Sequence, residues 1–157
     1  MRCRKLGRPR DHRPVRRDGA REDGERVTTT SSTAAANDAL VREFIAAWER
    51  RDTDFIVDHF TEDGVYHSMP LTPIVGRDAI RDWVASFAGK PPGRLNVLHQ
   101  VASDDVVMNE RLDSIMLNGK LVELPIMGVF EIEDGRIKAW REYFDLGPAR
   151  AAYEEQS

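Results

Sequence analysis

The chain has 157 residues, 41% of them hydrophobic, with a formal net charge of −4 and one cysteine. This length and composition predict a single domain with one core, and no run approaches the roughly 20 apolar residues of a membrane helix. We expect no secretory signal, because the N-terminus lacks an apolar stretch. We expect no intrachain disulfide, because Cys3 is the one cysteine, and no metal site, because the four histidines lack ligand spacing. These features predict a cytoplasmic protein.

The N-terminal segment has a different composition from the rest of the chain. Residues 1–26 carry 10 basic and 5 acidic residues (+5), whereas residues 27–157 carry 13 basic and 22 acidic ones (−9). We predict disorder over residues 1–37, a basic tail followed by a Ser/Thr/Ala linker, and one folded domain over 38–157. The tail is either an arm for nucleic acid or a membrane surface, or it has no role. In the second case it is an extension upstream of a real start near Val27 or later, or a solvated tail. The lack of interleaved aromatic residues favours the second reading, with neither nucleic acid nor membrane as a partner.

Three helices are predicted next. Asn37 or Asp38 is the expected cap of the first, whose apolar residues recur at helical spacing. Asp52 or Thr53 starts a short second helix. A loop then leads to a third helix, with Asp78 in its acidic first turn.

The remainder predicts strands, because the hydrophobic period changes from 3.6 to 2. A turn over residues 62–64 leads into the first strand, and Asn118-Gly119 and Asp134-Gly135 favour two-residue hairpins later in the chain. The predicted strands cover residues 65–69, 94–102, 105–117, 120–132 and 136–146. A short helix over 149–155 closes the chain. The fold class is therefore α+β, with helices packed on one face of a curved, mostly antiparallel sheet.

Charged residues lie on strand faces that are otherwise apolar. Strand alternation puts Arg111 and Asp113 on the side of Val107, and Glu142 on the side of Trp140. The neighbouring strand presents an apolar face made of Val122, Leu124, Ile126, Gly128, Phe130 and Ile132. Burying such charges costs several kcal/mol each unless they are paired, so the cluster is a candidate active site. The alternative is a surface ion pair whose face is misassigned by one residue.

Two carboxyl groups bridged by one arginine suit the addition of water to an epoxide. One carboxylate takes a proton from water, and the other, protonated, gives a proton to the ring oxygen. The planar guanidinium of Arg111 holds both groups, and their repulsion favours a single shared proton. Tyr66 and Ser68, which share a face of the first strand, supply hydroxyls for the attacking water.

These residues lie in segments that resemble the limonene-1,2-epoxide hydrolase family between about Leu40 and Leu146. The matching segments are Tyr66-His67-Ser68-Met69-Pro70-Leu71, Gly76-Arg77-Asp78-Ala79, Glu110-Arg111-Leu112-Asp113, Gly128-Val129-Phe130-Glu131, Asp134-Gly135-Arg136-Ile137 and Trp140-Arg141-Glu142-Tyr143-Phe144-Asp145. The resemblance implies the cone-shaped fold of nuclear transport factor 2 and ketosteroid isomerase, a homodimer formed through the open sheet face, and no cofactor. It also implies that Arg111 bridges, Asp113 is the general acid, Glu142 stands at the position of the base, and Tyr66 holds water.

Two positions depart from the family pattern. Glu142 stands where the family has Asp, which lengthens the arm of the base by one methylene, and Ser68 stands where it has a water-holding Asn. A displacement near 1 Å can cost about a hundredfold in rate. We hypothesise that the longer acid and the shorter hydroxyl compensate for one another.

The expected pocket walls are apolar residues of the third helix and the sheet. They are Trp83, Phe87, Ile115, Leu124, Ile126, Phe130 and Phe144. Their size suggests a compact apolar epoxide. His67 and His99 are predicted to be structural, because neither has an acidic residue nearby in sequence.

Two other functions compete with hydrolysis. An isomerase or cyclase of the ketosteroid isomerase or SnoaL type uses one carboxylate to remove a proton beside a carbonyl, and it does not need an arginine-bridged pair. A dimeric domain that binds an apolar ligand without catalysis is the third possibility. The paired carboxyl groups favour hydrolysis.

Overall fold

The computed structural model describes residues 31–69 and 71–154, which form an α+β fold. The helices are α1 (Ser32–Arg50), α2 (Thr53–Asp58), α3 (Arg77–Ala85) and α4 (Gly147–Glu154). The strands are β1 (Phe60–Met69), β2 (Ile74–Val75), β3 (Arg94–Ala102), β4 (Val106–Leu117), β5 (Lys120–Glu133) and β6 (Arg136–Tyr143). The predicted fold class is confirmed. The predicted disorder of the basic tail concerns residues outside the described ranges.

The six strands form one mixed sheet in the order β2-β1-β6-β5-β4-β3. All neighbouring strands are antiparallel except β1 and β6, which run parallel. In the β4–β5 and β5–β6 hairpins, Asn118, Gly119, Asp134 and Gly135 all have positive φ angles between 49° and 76°. This is the backbone geometry that the two hairpin dipeptides predict.

Helix α1 begins earlier than predicted. Ser31, and not Asn37 or Asp38, caps it by accepting hydrogen bonds from the amides of Thr33 and Ala34. Three alanines in the first turns favour the helix, so part of the segment predicted as a linker is helical. Asn37 is buried instead, and its amide donates to the carbonyls of residues 103 and 104 in the β3–β4 turn.

The first strand is also longer than predicted, and the loop after it contains a second strand. β1 starts at Phe60 and passes through the expected turn at 62–64 by a register shift against β6. β2 then pairs antiparallel with β1 at Val65 and Tyr66. The last strand is shorter than predicted, because β6 stops at Tyr143 and α4 follows at Gly147.

Helices α1 and α3 pack on the sheet, α1 against β3 and β4 and α3 against β1. The main core lies beneath them, where Phe44 meets Phe60, Phe130 and Trp140 edge-on. A smaller apolar cluster joins the β5 residues Val122, Leu124 and Ile126 to Ala152 of α4. Residues of both clusters line the main cavity.

Candidate active site

Three charged side chains are buried together on the inner face of the sheet. Arg111, Asp113 and Glu142 are 0%, 5% and 6% exposed. Strand alternation turns all three inward, in step with Val107 on β4 and Trp140 on β6, which are buried as well. The predicted face assignment is therefore confirmed, and a surface ion pair is excluded.

The guanidinium of Arg111 joins the two carboxyl groups. Its Nε and Nη2 each donate to one oxygen of Asp113 at 3.1 Å, and Nη2 also donates to Oε1 of Glu142. The guanidinium lies over the ring of Trp140, 5.9 Å from the centroid. A planar donor group of this kind holds both carboxyl groups in a defined orientation.

Tyr66 and Ser68, which are both on β1, lie beside Glu142 of β6. The Tyr66 hydroxyl donates to Oε2 of Glu142 at 2.8 Å, and Ser68 is the register partner of Glu142 across the parallel β1–β6 ladder. The Tyr66 ring stacks on Trp83 of α3, with centroids 4.1 Å apart. Both predicted water-holding residues therefore lie next to the carboxylate that they were expected to serve.

Burial dominates the proton affinities in the site. It raises the pKa of Glu142, although Arg111 and the Tyr66 hydroxyl oppose that rise by stabilising the carboxylate. Burial also raises the pKa of Asp113 against the effect of Arg111, and the charge of Glu49 raises it further. Burial and the charge of Glu142 raise the pKa of Tyr66 well above its usual value, so this hydroxyl stays protonated and donates.

The two neighbouring carboxyl groups keep Arg111 protonated. Burial alone lowers the pKa of Arg111, but the carboxylates of Glu142 and Asp113 more than offset this effect and leave the pKa raised. One cation thus faces two carboxyl groups whose proton affinities are both elevated. Such a pair holds a proton to a higher pH than an exposed pair does.

Asn109, which is itself held by Gln100, also binds Arg111. The sequence interpretation missed both residues. Oδ1 of Asn109, which is fully buried, accepts from Nη1 of Arg111 at 3.0 Å, and its Nδ2 donates to Gln100 at 3.2 Å. Gln100 in turn donates to the backbone carbonyl and the side chain of Asp38 on α1. Asn109 lies two residues before Arg111 on β4, so strand alternation places both side chains on the inner face. This alternation is the pattern that could have identified Asn109.

Gly128 of β5 makes room for this arrangement. It is the register partner of both Asn109 and Glu142, so it lies between β4 and β6 beneath the guanidinium. A Cβ atom at this position would lie 2.6 Å from Oδ1 of Asn109 and 2.7 Å from Nη1 of Arg111. Only glycine allows the two side chains to lie flat on the strand.

The two carboxyl groups open into a cavity of about 560 Å³, a volume typical of small-molecule sites. Most of the predicted wall residues line it, namely Trp83, Phe87, Ile115, Leu124, Ile126 and Phe144. Trp48, Leu95 and Trp140 also line it, and the sequence interpretation did not include them.

Phe130 was predicted to line the cavity, and this prediction is wrong. It is fully buried in the main core and stacks on Trp140, its register partner, at 5.5 Å between centroids. Trp140 faces the cavity, and Phe130 packs under α1. The alternation of side chains along a strand predicts which face of the sheet a side chain lies on, but it does not predict how deep the side chain lies below the covering helix.

Neither predicted structural histidine lines the cavity. The ring of His67 meets the carbonyl of Leu71, and His99 pairs with Glu110 across the β3–β4 ladder at 2.9 Å. His99 therefore has an acidic partner, which local sequence did not reveal.

Among residues 31–69 and 71–154, no group of three His, Cys, Asp or Glu side chains is placed to hold a metal ion. Within those ranges no helix has both the length and the apolarity to cross a membrane.

Comparisons with known proteins identify the family and the fold of the chain. The family model of the limonene-1,2-epoxide hydrolase catalytic domain matches residues 35–149. Epoxide hydrolase EphG of Mycobacterium tuberculosis (strain ATCC 25618 / H37Rv) is 29% identical over 107 residues, which are 68% of this chain and 71% of that protein. The structure of an M. tuberculosis LEH-like epoxide hydrolase is 25% identical, with a TM-score of 0.69 over 76% of this chain and 90% of that one. An NTF2-like protein of Cytophaga hutchinsonii ATCC 33406, 20% identical, shares the fold with a TM-score of 0.60 over 75% of this chain and 95% of that one.

Proposed function

Because the chain belongs to the limonene-1,2-epoxide hydrolase catalytic-domain family, we propose that it adds water to a small, largely apolar epoxide and releases a vicinal diol. The reaction proceeds in one step, without a cofactor and without a covalent enzyme intermediate. The observation that carries the proposal is the fully buried Arg111, which binds two carboxyl groups that face one apolar cavity.

Glu142 is the proposed base and Asp113 the proposed acid. The Tyr66 hydroxyl stabilises the carboxylate of Glu142, whereas the nearby charge of Glu49 raises the pKa of Asp113. We propose that the shared proton resides on Asp113. In the reaction, Glu142 takes a proton from water, the water oxygen bonds to a ring carbon, and the carbon–oxygen bond of the ring breaks. Asp113 gives its proton to the ring oxygen, and proton exchange with solvent restores both groups.

The attacking water is held by Tyr66, Ser68 and Glu142 in this scheme. The longer arm of Glu142 reaches both Arg111 and Tyr66 from its position beside Ser68. This geometry supports the hypothesis that Glu142 and Ser68 together replace the Asp and Asn of the family pattern. The two departures then preserve the water site.

A homodimer is the proposed assembly, formed through the outer face of the sheet. Four apolar side chains there are 44% to 66% exposed: Val101, Met108, Met127 and Tyr143. Val101 and Met108 are register partners, as are Met127 and Tyr143, and Glu110 links the two pairs as the partner of Met127. Apolar side chains clustered on an exposed sheet face are typical of an interface.

Single-turnover hydrolysis in ¹⁸O-labelled water tests the reaction. With enzyme in excess over cyclohexene oxide or limonene oxide, we expect ¹⁸O in the diol of the first turnover, because water attacks directly. A covalent intermediate would instead put an unlabelled oxygen of the protein into that first diol, and this result would exclude the one-step scheme.

Substitution of the base tests the roles. We expect Glu142→Gln to lower kcat by about 10² to 10⁴, the usual contribution of a general base. Glu131→Gln is the matched control, because Glu131 pairs with Arg141 outside the cavity. If folded protein forms no diol from a broad panel of epoxides, a non-catalytic ligand-binding domain becomes the better reading.

A further inference from the structure

Two cationic side chains line the same cavity as Asp113 and Glu142. Arg51 follows α1, and Lys90 lies in the segment between α3 and β3. Both lie over Phe87, with the guanidinium carbon 5.8 Å and the ammonium nitrogen 5.0 Å from the ring centroid. Lys90 is exposed and Arg51 half-buried, so this cationic rim (Arg51 and Lys90) lies at the cavity entrance.

The cationic rim lacks a negative partner in the part of the chain that the structure describes. Neither residue forms an ion pair there, whereas the adjacent Arg50 pairs with Glu43 at 2.8 Å. Nη2 of Arg51 donates to the carbonyl of Pro91 at 2.6 Å, but its Nε is buried without an acceptor. A buried donor without a partner is unfavourable, and a hydrogen bond to an anionic ligand would remove that cost. Two cations without carboxylate partners are notable in a domain with an excess of acidic residues.

The backbone at Arg51 adds a second observation. Arg51 has φ 61° and ψ 35°, the left-handed conformation in which a helix usually ends with glycine or asparagine. A long side chain in this conformation costs backbone strain, and such strain is concentrated at functional positions. The strained residue here is the one whose guanidinium lines the cavity.

We infer that the cationic rim binds a carboxylate carried by the substrate. The substrate is then an epoxide with an apolar body and a carboxylate at the end remote from the ring. This inference rests on the proposed epoxide hydrolysis for the reactive end and on Arg51 and Lys90 for the other. A carboxylate suits the rim because its two oxygens can accept from two parallel N–H groups of one guanidinium.

Binding of unreactive probes tests the rim without any turnover. We expect 4-cyclohexylbutanoate to bind the protein about ten-fold more tightly than its uncharged isostere 4-cyclohexylbutanamide, the effect of one charge-assisted hydrogen bond. In calorimetric titration, Arg51→Met removes this preference, and Lys90→Met reduces it about three-fold because Lys90 is exposed. Arg50→Met, which removes a neighbouring charge outside the cavity, leaves the preference unchanged. Equal affinity for the two probes, or an equal loss in Arg50→Met, overturns the inference.

Turnover of the corresponding ring epoxides separates this inference from the proposed function. We expect the acid to show a lower KM than the amide at a similar kcat, and Arg51→Met to raise KM for the acid alone. Diol formation from both compounds without any preference refutes the carboxylate site and leaves hydrolysis standing. A carboxylate preference in binding, with no diol from these compounds or from cyclohexene oxide, refutes hydrolysis and leaves the carboxylate site standing.

Discussion

At the scale of single residues, the site is a set of charges that the surrounding protein holds in unequal states. Arg111 contacts both Asp113 and Glu142, but only Glu142 receives the hydroxyl of Tyr66. Asp113 faces a different neighbour. Its register partner Leu95 donates its backbone amide to Glu49 at 2.8 Å, which brings a third carboxylate to the Asp113 side of the site. The proposed division into acid and base follows from this asymmetry.

The substitution Glu49→Gln tests that asymmetry. Burial raises the pKa of Asp113, and the charge of Glu49 raises it further, so removing that charge lowers the pKa of the proposed acid. The acid then loses its proton at a lower pH, and the alkaline limb of kcat/KM shifts to lower pH while the acidic limb stays in place. The glutamine oxygen still accepts from the amide of Leu95. Glu43→Gln, an exposed change on the same helix, is the control, and a shift of the acidic limb alone would refute the assignment.

At the scale of secondary structure, the β4–β5–β6 register builds the site. Asn109, Gly128 and Glu142 are register partners in one row across these strands, and Arg111 lies one inward position further along β4. The row places an acceptor on one side of the guanidinium and a carboxylate on the other. Because Gly128 carries no side chain, the guanidinium lies against the strand between them. The hydrogen bonds from Asn109 through Gln100 then connect Arg111 to α1.

Gly128→Ala is predicted to damage this row. The added Cβ would lie within 2.7 Å of both Asn109 and Arg111, so the guanidinium must move. A displacement near 1 Å lowers kcat by about a hundredfold, and overpacking lowers the free energy of unfolding by about 1–3 kcal/mol. Ile137→Val, a core change away from the cavity with a cost of about 0.5–1.5 kcal/mol, is the matched control and keeps its kcat. Comparison of kcat with urea unfolding for the two variants separates displacement from lost stability.

At the scale of the whole molecule, the two faces of the sheet have different tasks. The inner face carries the main core, the charged cluster and the cavity beneath α1 and α3. The outer face exposes Met108 and Met127 next to charged residues such as Glu110 and Glu131. A patch of this kind is available for a second copy of the chain without closing the cavity.

The proposed homodimer predicts the effect of charge on the outer face. We expect the double substitution Met108→Lys, Met127→Lys to convert a dimer into a monomer, because each lysine brings a charge into an apolar interface. Sedimentation equilibrium would report a fall in mass from two chains to one. Leu71→Lys, an exposed apolar residue in the turn between β1 and β2, keeps the dimer. A wild-type chain that sediments as a monomer at high concentration would exclude the dimer.

The sequence alone determined the features that depend on neighbours along the chain. Strand alternation assigned Arg111, Asp113 and Glu142 to the inner face, and the two hairpin dipeptides located their turns, because side-chain direction and turn geometry are local properties. The strand alternation that identified Arg111 applies equally to Asn109, which lies two residues earlier on β4. Its role was missed because its partner Gln100 lies on another strand.

Only the tertiary structure decided the features that depend on distant segments. The depth of Phe130 below α1 and the burial of Asn37 against the β3–β4 turn both follow from contacts between elements far apart in sequence. The same is true of Arg51, whose side chain belongs to the cavity because Phe87 and Pro91 lie beside it. A local pattern determines which way a side chain points, but the element packed against it determines what the side chain meets.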